Sequence, residues 1–223
     1  YVPYLAAAGE LKTKPTQHSV KELQSEGIQP DILVLRTEHP LTPALCKKVA
    51  NFCNVSPDAV FQSPDMPSIY QVPVGMQDQG LDRVILEKLG MPIGETPGLG
   101  PWRAFIERRA NATEELNIGL VGKYDLQDAY KSITEALQQA GVYNDRKVRC
   151  HFINSENIRP DNVAEMLKGM SGYIICPGFG ERGTEGKIIA TRYCREHNLP
   201  TFGICLGMQM MVVEFGRNVL GYA

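Results

Sequence analysis

From residue 117 onward, short apolar runs alternate regularly with longer amphipathic segments, and this alternation limits the fold more than any other feature. Residues 117–121 (NIGLV), 148–153, 173–176 and 200–204 read as strands. Residues 126–140, 161–167, 186–196 and 206–215 read as helices, the first of them stopped by Gly141. Apolar strands separated by helices pair in parallel, with both faces of the sheet covered. Functional groups on such sheets gather at the carboxyl ends of the strands. The first half is less regular. Residues 31–36 (DILVLR) read as a buried strand, and residues 59–62 and 69–74 as short strands. Residues 19–25, 43–53 and 81–89 read as helices, with Leu45, Val49, Ala50 and Phe52 as the inward face of the second. Residues 1–17 form no clean element. Three Pro and three Gly between residues 91 and 101 are turn and linker chemistry, followed by a connecting helix over residues 102–110. The expectation is an α/β chain of two domains, the second a parallel sheet covered on both faces. They cover residues 1–111, with a linker near 90–111, and residues 112–223.

Composition removes several function classes. With 23 Lys+Arg against 25 Asp+Glu, there is no basic surplus for nucleic-acid binding. The apolar fraction of 43% is too high for a disordered chain. No run of about 18 apolar residues suits a membrane helix, and residues 1–4 (YVPY) begin no signal pattern. The six cysteines, at 46, 53, 150, 176, 194 and 205, form no CxxC and no zinc-ligand spacing. That usage predicts a reducing, cytoplasmic compartment and no metal site.

The sharpest local motif is Gly203-Ile204-Cys205-Leu206-Gly207. A strand runs straight into a helix, with a glycine two residues before and two after the central cysteine. That is the spacing of a nucleophile elbow. The glycines permit a tight turn, the cysteine is thrust out at the sheet edge, and the helix N-terminus favours its thiolate. The Leu206 N–H is then placed to donate to an oxyanion, and Gly178, in the loop after the neighbouring strand, is a second donor. A buried cysteine between two packing glycines is the competing structural explanation. Thiol attack on an amide also needs a general acid/base to protonate the leaving amine. Neither His18, His39, His151 nor His197 is placed for this; His197 precedes Pro200, at the opposite end of its strand. The expectation is that this partner lies beyond residue 223, in a longer protein.

Several longer motifs resemble the CTP synthase family. They include residues 9–20 (GELKTKPTQHSV), Ser68-Ile69-Tyr70, Gln79-Gly80-Leu81-Asp82, Val121-Gly122-Lys123-Tyr124 and Asp128-Ala129-Tyr130-Lys131. Residues 178–183 (GFGERG), Glu185-Gly186-Lys187 and residues 203–209 (GICLGMQ) continue the resemblance in the same order. It implies two doubly wound parallel-sheet domains, both incomplete: a P-loop-type synthetase part followed by a class I glutamine amidotransferase part. It also implies a pyrimidine-biosynthesis ligase that makes CTP from UTP, ATP and glutamine. Cys205 would form a glutamyl thioester, with Gly178, Leu206, Gly207, Met208 and Gln209 shaping the oxyanion and glutamine pocket. Lys12, Thr13, Lys14, Pro15, Thr16 and Gln17, with Lys48, would bind UTP or the feedback inhibitor CTP. The lysines beside a proline-fixed turn suit a triphosphate. Asp65 would touch ATP, and Arg182, Gly183 and Glu185 would belong to a lid linked to GTP activation. The family also implies Mg2+, with ligands before residue 1, and homotetramers able to form filaments, without nucleic-acid or membrane partners. By the same comparison these 223 residues alone are expected to be inactive.

One departure stands out: Pro177 occupies a position where the family commonly has glycine. Proline has no N–H, so only Gly178 or Phe179 is left to donate there. Two alternatives remain. One is another class I amidotransferase, such as a GMP synthase or a carbamoyl-phosphate synthase subunit, which would lack the Lys12–Gln17 segment. The other is a noncatalytic assembly module.

Overall fold

The computed structural model describes residues 1–95, 98–124 and 128–222. Thr96 and Pro97 of the expected linker, and Leu126 at the start of an expected helix, lie outside the described residues. The chain divides into two compact units, Tyr1–Ile106 and Glu107–Ala223.

The first unit opens with a small antiparallel pair, β1 (Tyr4–Leu5) and β2 (Glu10–Leu11). Helix α1 (Lys14–Ser25), strand β3 (Leu33–Thr37), helix α2 (Pro43–Cys53) and strand β4 (Val60–Pro64) follow. Strands β3 and β4 pair in parallel, Leu35 opposite Gln62. Val2, Val20, Leu35, Val49, Cys53 and Ala59 form the core between sheet and helices. Helices α3 (Val72–Asp78), α4 (Leu81–Lys88) and α5 (Gly100–Asn111) complete the order up to residue 111.

Four expectations need correction here. Helix α1 begins at Lys14 rather than Ser19, because Pro15 sits in its first turn, where the missing N–H removes no helical bond. Residues 69–74 are not a strand. The Ser68 hydroxyl accepts from the Tyr70 N–H to start a 3-10 turn over Ile69–Gln71, and Pro73 lies in the first turn of α3. Strand β3 is not buried throughout, since Leu35 is buried while Val34 is half exposed. On α2 the inward place expected of Phe52 is taken by Cys53, and Phe52 is 58% exposed.

The second unit is one parallel sheet. Its strands are β5 (Glu114–Gly122), β6 (Arg146–Asn154), β7 (Gly172–Ile175) and β8 (Thr201–Gly203), in the order β6-β5-β7-β8. Helices α6 (Lys131–Tyr143), α7 (Val163–Met166), α8 (Thr184–Glu196) and α9 (Leu206–Asn218) connect and follow them. Alternate residues serve opposite faces. Ile118, Leu120, Ile174 and Cys176 pack with Ile133 and Leu137 of α6, whereas Val121, Tyr173 and Ile175 pack with Ala190 and Cys194 of α8. The chain steps from β5 to β6 in one direction and from β7 to β8 in the other. Right-handed crossovers therefore put α6 and α8 on opposite faces, which is double winding. The point of reversal is the β5–β7 pair, and its carboxyl ends are where a crevice forms.

Gly141 does not stop α6, which continues to Tyr143. It is buried, and a Cβ there would stand 2.7 Å from both the Arg146 carbonyl oxygen and Val148 Cγ2. The glycine permits close approach of helix to strand. The helix over residues 161–167 shortens to the single turn α7. At the outer edge, β8 and α9 present Phe202, Val212 and Phe215, all exposed, along an apolar groove of about 580 Å3.

Gly141→Ala tests the close approach. Alanine gains about 1 kcal/mol in helix propensity, but displacing a backbone carbonyl and a core valine costs about 2–3 kcal/mol. The variant should lose about 1–2 kcal/mol in denaturant unfolding.

Candidate active site at the sheet's carboxyl edge

Cys205 lies between the end of β8 and the start of α9, as the N-cap of that helix. Its backbone is at φ 51°, ψ −113°, a left-handed region that a non-glycine residue enters only under constraint. The constraint comes from its flanking glycines. A Cβ on Gly203 would stand 2.6 Å from the Met208 nitrogen and from Met211 Sδ, and one on Gly207 would stand 1.9 Å from the Ile175 carbonyl oxygen. Helix α9 therefore rests on the end of β7 with no room for a side chain, and the turn at residue 205 takes up the bend. Cys205 is exposed. This disposes of the alternative of a cysteine buried between packing glycines.

The loop after β7 lies alongside. Gly178 is buried, and a Cβ on it would meet Lys123 Cε at 2.9 Å and Leu206 Cδ2 at 3.5 Å, so it borders the residue after Cys205. Neither the Gly178 nor the Leu206 N–H donates to a backbone carbonyl among the described residues. Met208 and Gln209 are exposed on the first turn of α9, and Gly207 is buried beneath them.

Two lysines hold this loop from below, and sequence reasoning missed both. Lys187, fully buried, donates from Nζ to the carbonyl of Cys176 at 2.7 Å and of Pro177 at 3.4 Å. Lys123, 3% exposed, donates from Nζ to the carbonyls of Phe179 and, at 3.3 Å, Gly180. Burial pulls Lys187 down to about 8 from its ordinary 10.5; Lys123 nearby adds to this, while the Cys176 and Cys205 thiols oppose it. Burial pushes the Cys176 thiol up to about 12, so it is an inert neighbour. A pattern for Lys187 was present in the sequence. It begins the stripe Lys187, Ala190, Thr191, Cys194, the i, i+3, i+4, i+7 spacing of a buried helix face.

The remaining expected positions divide by unit. In the second unit Arg182 pairs with Glu156 at 3.0 Å and stands over the Tyr124 ring, 5.9 Å from its centre. Gly183 has φ 74°, with Ser155 Oγ where a Cβ would go, and Glu185 pairs with Arg217 at 2.9 Å. In the first unit Lys12 pairs with Glu10, and Lys14, Pro15, Thr16 and Gln17 belong to the first turn of α1 rather than to a free turn. Thr13 and Thr16 are buried; the Thr16 hydroxyl donates to the Tyr1 carbonyl, and the Gln17 amide donates to the Thr13 hydroxyl. Lys14 and Lys48 are exposed, and Asp65 forms an ion pair with Arg36. His197 caps the far end of α8, stacked on Tyr193, and His151 faces Asn117 on β5. Neither stands at the edge that carries Cys205. No group of three or more His, Cys, Asp or Glu among the described residues is arranged to hold a metal. Nor is any described helix long and apolar enough to cross a membrane.

Comparison with known proteins supplies family context. Residues 1–91 match the family "CTP synthase N-terminus", and residues 125–222 match "Glutamine amidotransferase class-I". Over its whole length the chain is 70% identical to the CTP synthase of Bacteroides thetaiotaomicron and 59% identical to that of Porphyromonas gingivalis. It covers 42% and 41% of those proteins, about two-fifths of their length. A solved Trypanosoma brucei CTPS glutaminase domain with bound acivicin is 34% identical, covering 48% of this chain and 42% of that one, with a TM-score of 0.45.

The buried Lys187 makes a pH prediction. Between pH 8 and 10.5 the folded chain releases this proton while the unfolded chain keeps it, so the lysine's contribution to stability rises with pH. Across that window the wild type should gain on Lys187→Met by at most about 3 kcal/mol. Denaturant unfolding of both proteins at several pH values measures the difference.

Proposed function

The chain belongs to the CTP synthase family, and on that footing we propose that it serves the ATP-dependent amination of UTP to CTP, using ammonia drawn from glutamine. The observation that carries the glutaminase half of this reading is the exposed thiol of Cys205, held at φ 51° on a helix N-terminus. In the proposed step the sulfur attacks the side-chain carboxamide carbon of glutamine. The carbonyl oxygen becomes an oxyanion facing the N–H groups of Leu206 and Gly178. As the intermediate collapses, the C–N bond breaks, the nitrogen takes a proton and leaves as ammonia, and a glutamyl thioester remains on Cys205. Water then releases glutamate and restores the thiol. The proton needs a carrier; His151 and His197, the histidines of the second unit, stand away from the edge that carries Cys205, and a carrier from outside these 223 residues is proposed. Gly207, Met208 and Gln209 would line the glutamine site.

The first unit is proposed as part of the synthetase. Lys12, Thr13, Lys14, Pro15, Thr16 and Gln17, with Lys48, would bind the triphosphate of UTP or of inhibitory CTP. The N-terminus of the 12-residue helix α1 beside two ammonium groups supports an anion there. Asp65 is proposed to touch ATP. Arg182, Gly183 and Glu185 are proposed as part of a lid responding to GTP. Mg2+ would neutralise the phosphates when bound; among the described residues no group of three or more His, Cys, Asp or Glu is gathered to hold it. A cytoplasmic homotetramer able to form filaments is the proposed assembly.

Two substitutions in the full-length enzyme test this reading. Cys205→Ser should lower glutamine-driven CTP formation by about 1,000-fold or more while sparing synthesis fed by free ammonia. Parallel loss of both activities would instead mean that the thiol is structural. Lys14→Ala should weaken UTP saturation and CTP inhibition together, each by about tenfold, the worth of one ammonium–phosphate contact. UTP and CTP kinetics that do not change would remove this segment from the nucleotide site.

A further inference from the structure

We infer that Lys187 is a positioning residue for the amide-cleaving site: its ammonium draws the Cys176 and Pro177 carbonyls inward and so turns the Gly178 N–H toward the space beside Cys205. The inference rests on the proposed role of Cys205 as nucleophile and adds a residue that touches neither sulfur nor substrate.

The geometry follows from the peptide plane. No cis peptide bond occurs among the described residues. In a trans peptide the carbonyl of one residue and the N–H of the next point in opposite directions. The Pro177 carbonyl faces Lys187 Nζ at 3.4 Å, so the Gly178 N–H faces away from Lys187. Lys187 is fully buried behind the loop, and Gly178 borders Leu206, next in the chain to the thiol. Lys123 holds the other end of the same loop through the Phe179 and Gly180 carbonyls. Four constraints therefore act on carbonyl oxygens, two on each side of Gly178, and among the described residues the backbone N–H of Gly178 is left without a backbone acceptor.

The placement is not what packing alone would select. An ammonium shut away from water is costly unless its donors are used, and an apolar side chain of the same length would fill the space without that cost. Pro177 makes the arrangement more demanding. Because residue 177 has no N–H, Gly178 and Phe179 are the donors left here, and Gly178, the one that borders Leu206, can serve only if the Pro177–Gly178 peptide is correctly turned. A donor misaimed by a fraction of an ångström is felt in the transition state far more than in the bound substrate.

The test uses the full-length enzyme with Lys187→Met, Lys187→Gln and Cys205→Ala. Lys187→Met should lower kcat for glutamine hydrolysis by about 10- to 100-fold and keep KM for glutamine within about twofold. Alkylation of Cys205 by iodoacetamide and ammonia-fed CTP formation should both stay within about twofold of wild type. Lys187→Gln retains an N–H donor and should recover at least about threefold in kcat over the methionine variant. A kcat within twofold of wild type in Lys187→Met overturns the inference. So does a parallel fall of kcat, alkylation and ammonia-fed synthesis in both Lys187 variants, because that assigns the lysine to holding the unit folded. Glutamine-driven synthesis that survives in Cys205→Ala overturns the thiol's own role, whichever way the Lys187 variants behave.

Discussion

Helix α9 rests against the end of strand β7 with nothing between them but backbone. Gly207 lies where any side chain would run into the Ile175 carbonyl, and Gly203 lies where one would strike the first turn of the helix. Two such contacts, one on each side of a single residue, leave Cys205 no ordinary conformation. Its left-handed backbone, a state that costs on the order of 1–3 kcal/mol, is sustained by packing that neither glycine can relax. The exposure of the thiol, its seat on a helix N-terminus and its closeness to the β7 loop all follow from that steric fact.

The loop opposite the thiol is organised by electrostatics instead. It is short, contains a proline and three glycines, and buries little hydrophobic surface of its own; Phe179 is 86% exposed. Two buried ammonium groups give it a shape by gathering its carbonyl oxygens. The two lysines also repel one another, and Lys123 is among the groups that lower the proton affinity of Lys187. Each therefore depends on the carbonyl dipoles of the loop as much as the loop depends on them.

The sheet of the second unit was legible in the sequence because its central strands, β5 and β7, carry apolar runs that serve both faces and helices α6, α8 and α9 are long enough to show their period. The Gly-x-Cys-x-Gly spacing was equally readable, since few backbones other than an elbow use glycines at those two places. Elements that turned on one polar atom were not. Ser68 capping Tyr70 converted an apparent strand into a helical start, and the stripe on α2 ended on Cys53 rather than Phe52. Gly141 illustrates a further ambiguity, because glycine as a helix stop and glycine as a contact point look alike until the neighbouring strand is in place. Lys187 went unrecognised for a related reason. A charged residue at the head of an otherwise buried stripe looks like the solvated end of a helix, and only the carbonyls of a loop distant in sequence explain why it faces inward.

The outer margin of the second sheet has a practical consequence. Strand β8 is only three residues long, so it offers few free hydrogen-bonding groups for another chain to extend. Adhesion there would come from oil rather than from the peptide ladder, through Phe202, Val212 and Phe215 around the groove. A polypeptide limited to these residues would be expected to self-associate reversibly and to respond to mild detergent or lowered salt. It would not be expected to grow ordered fibrils.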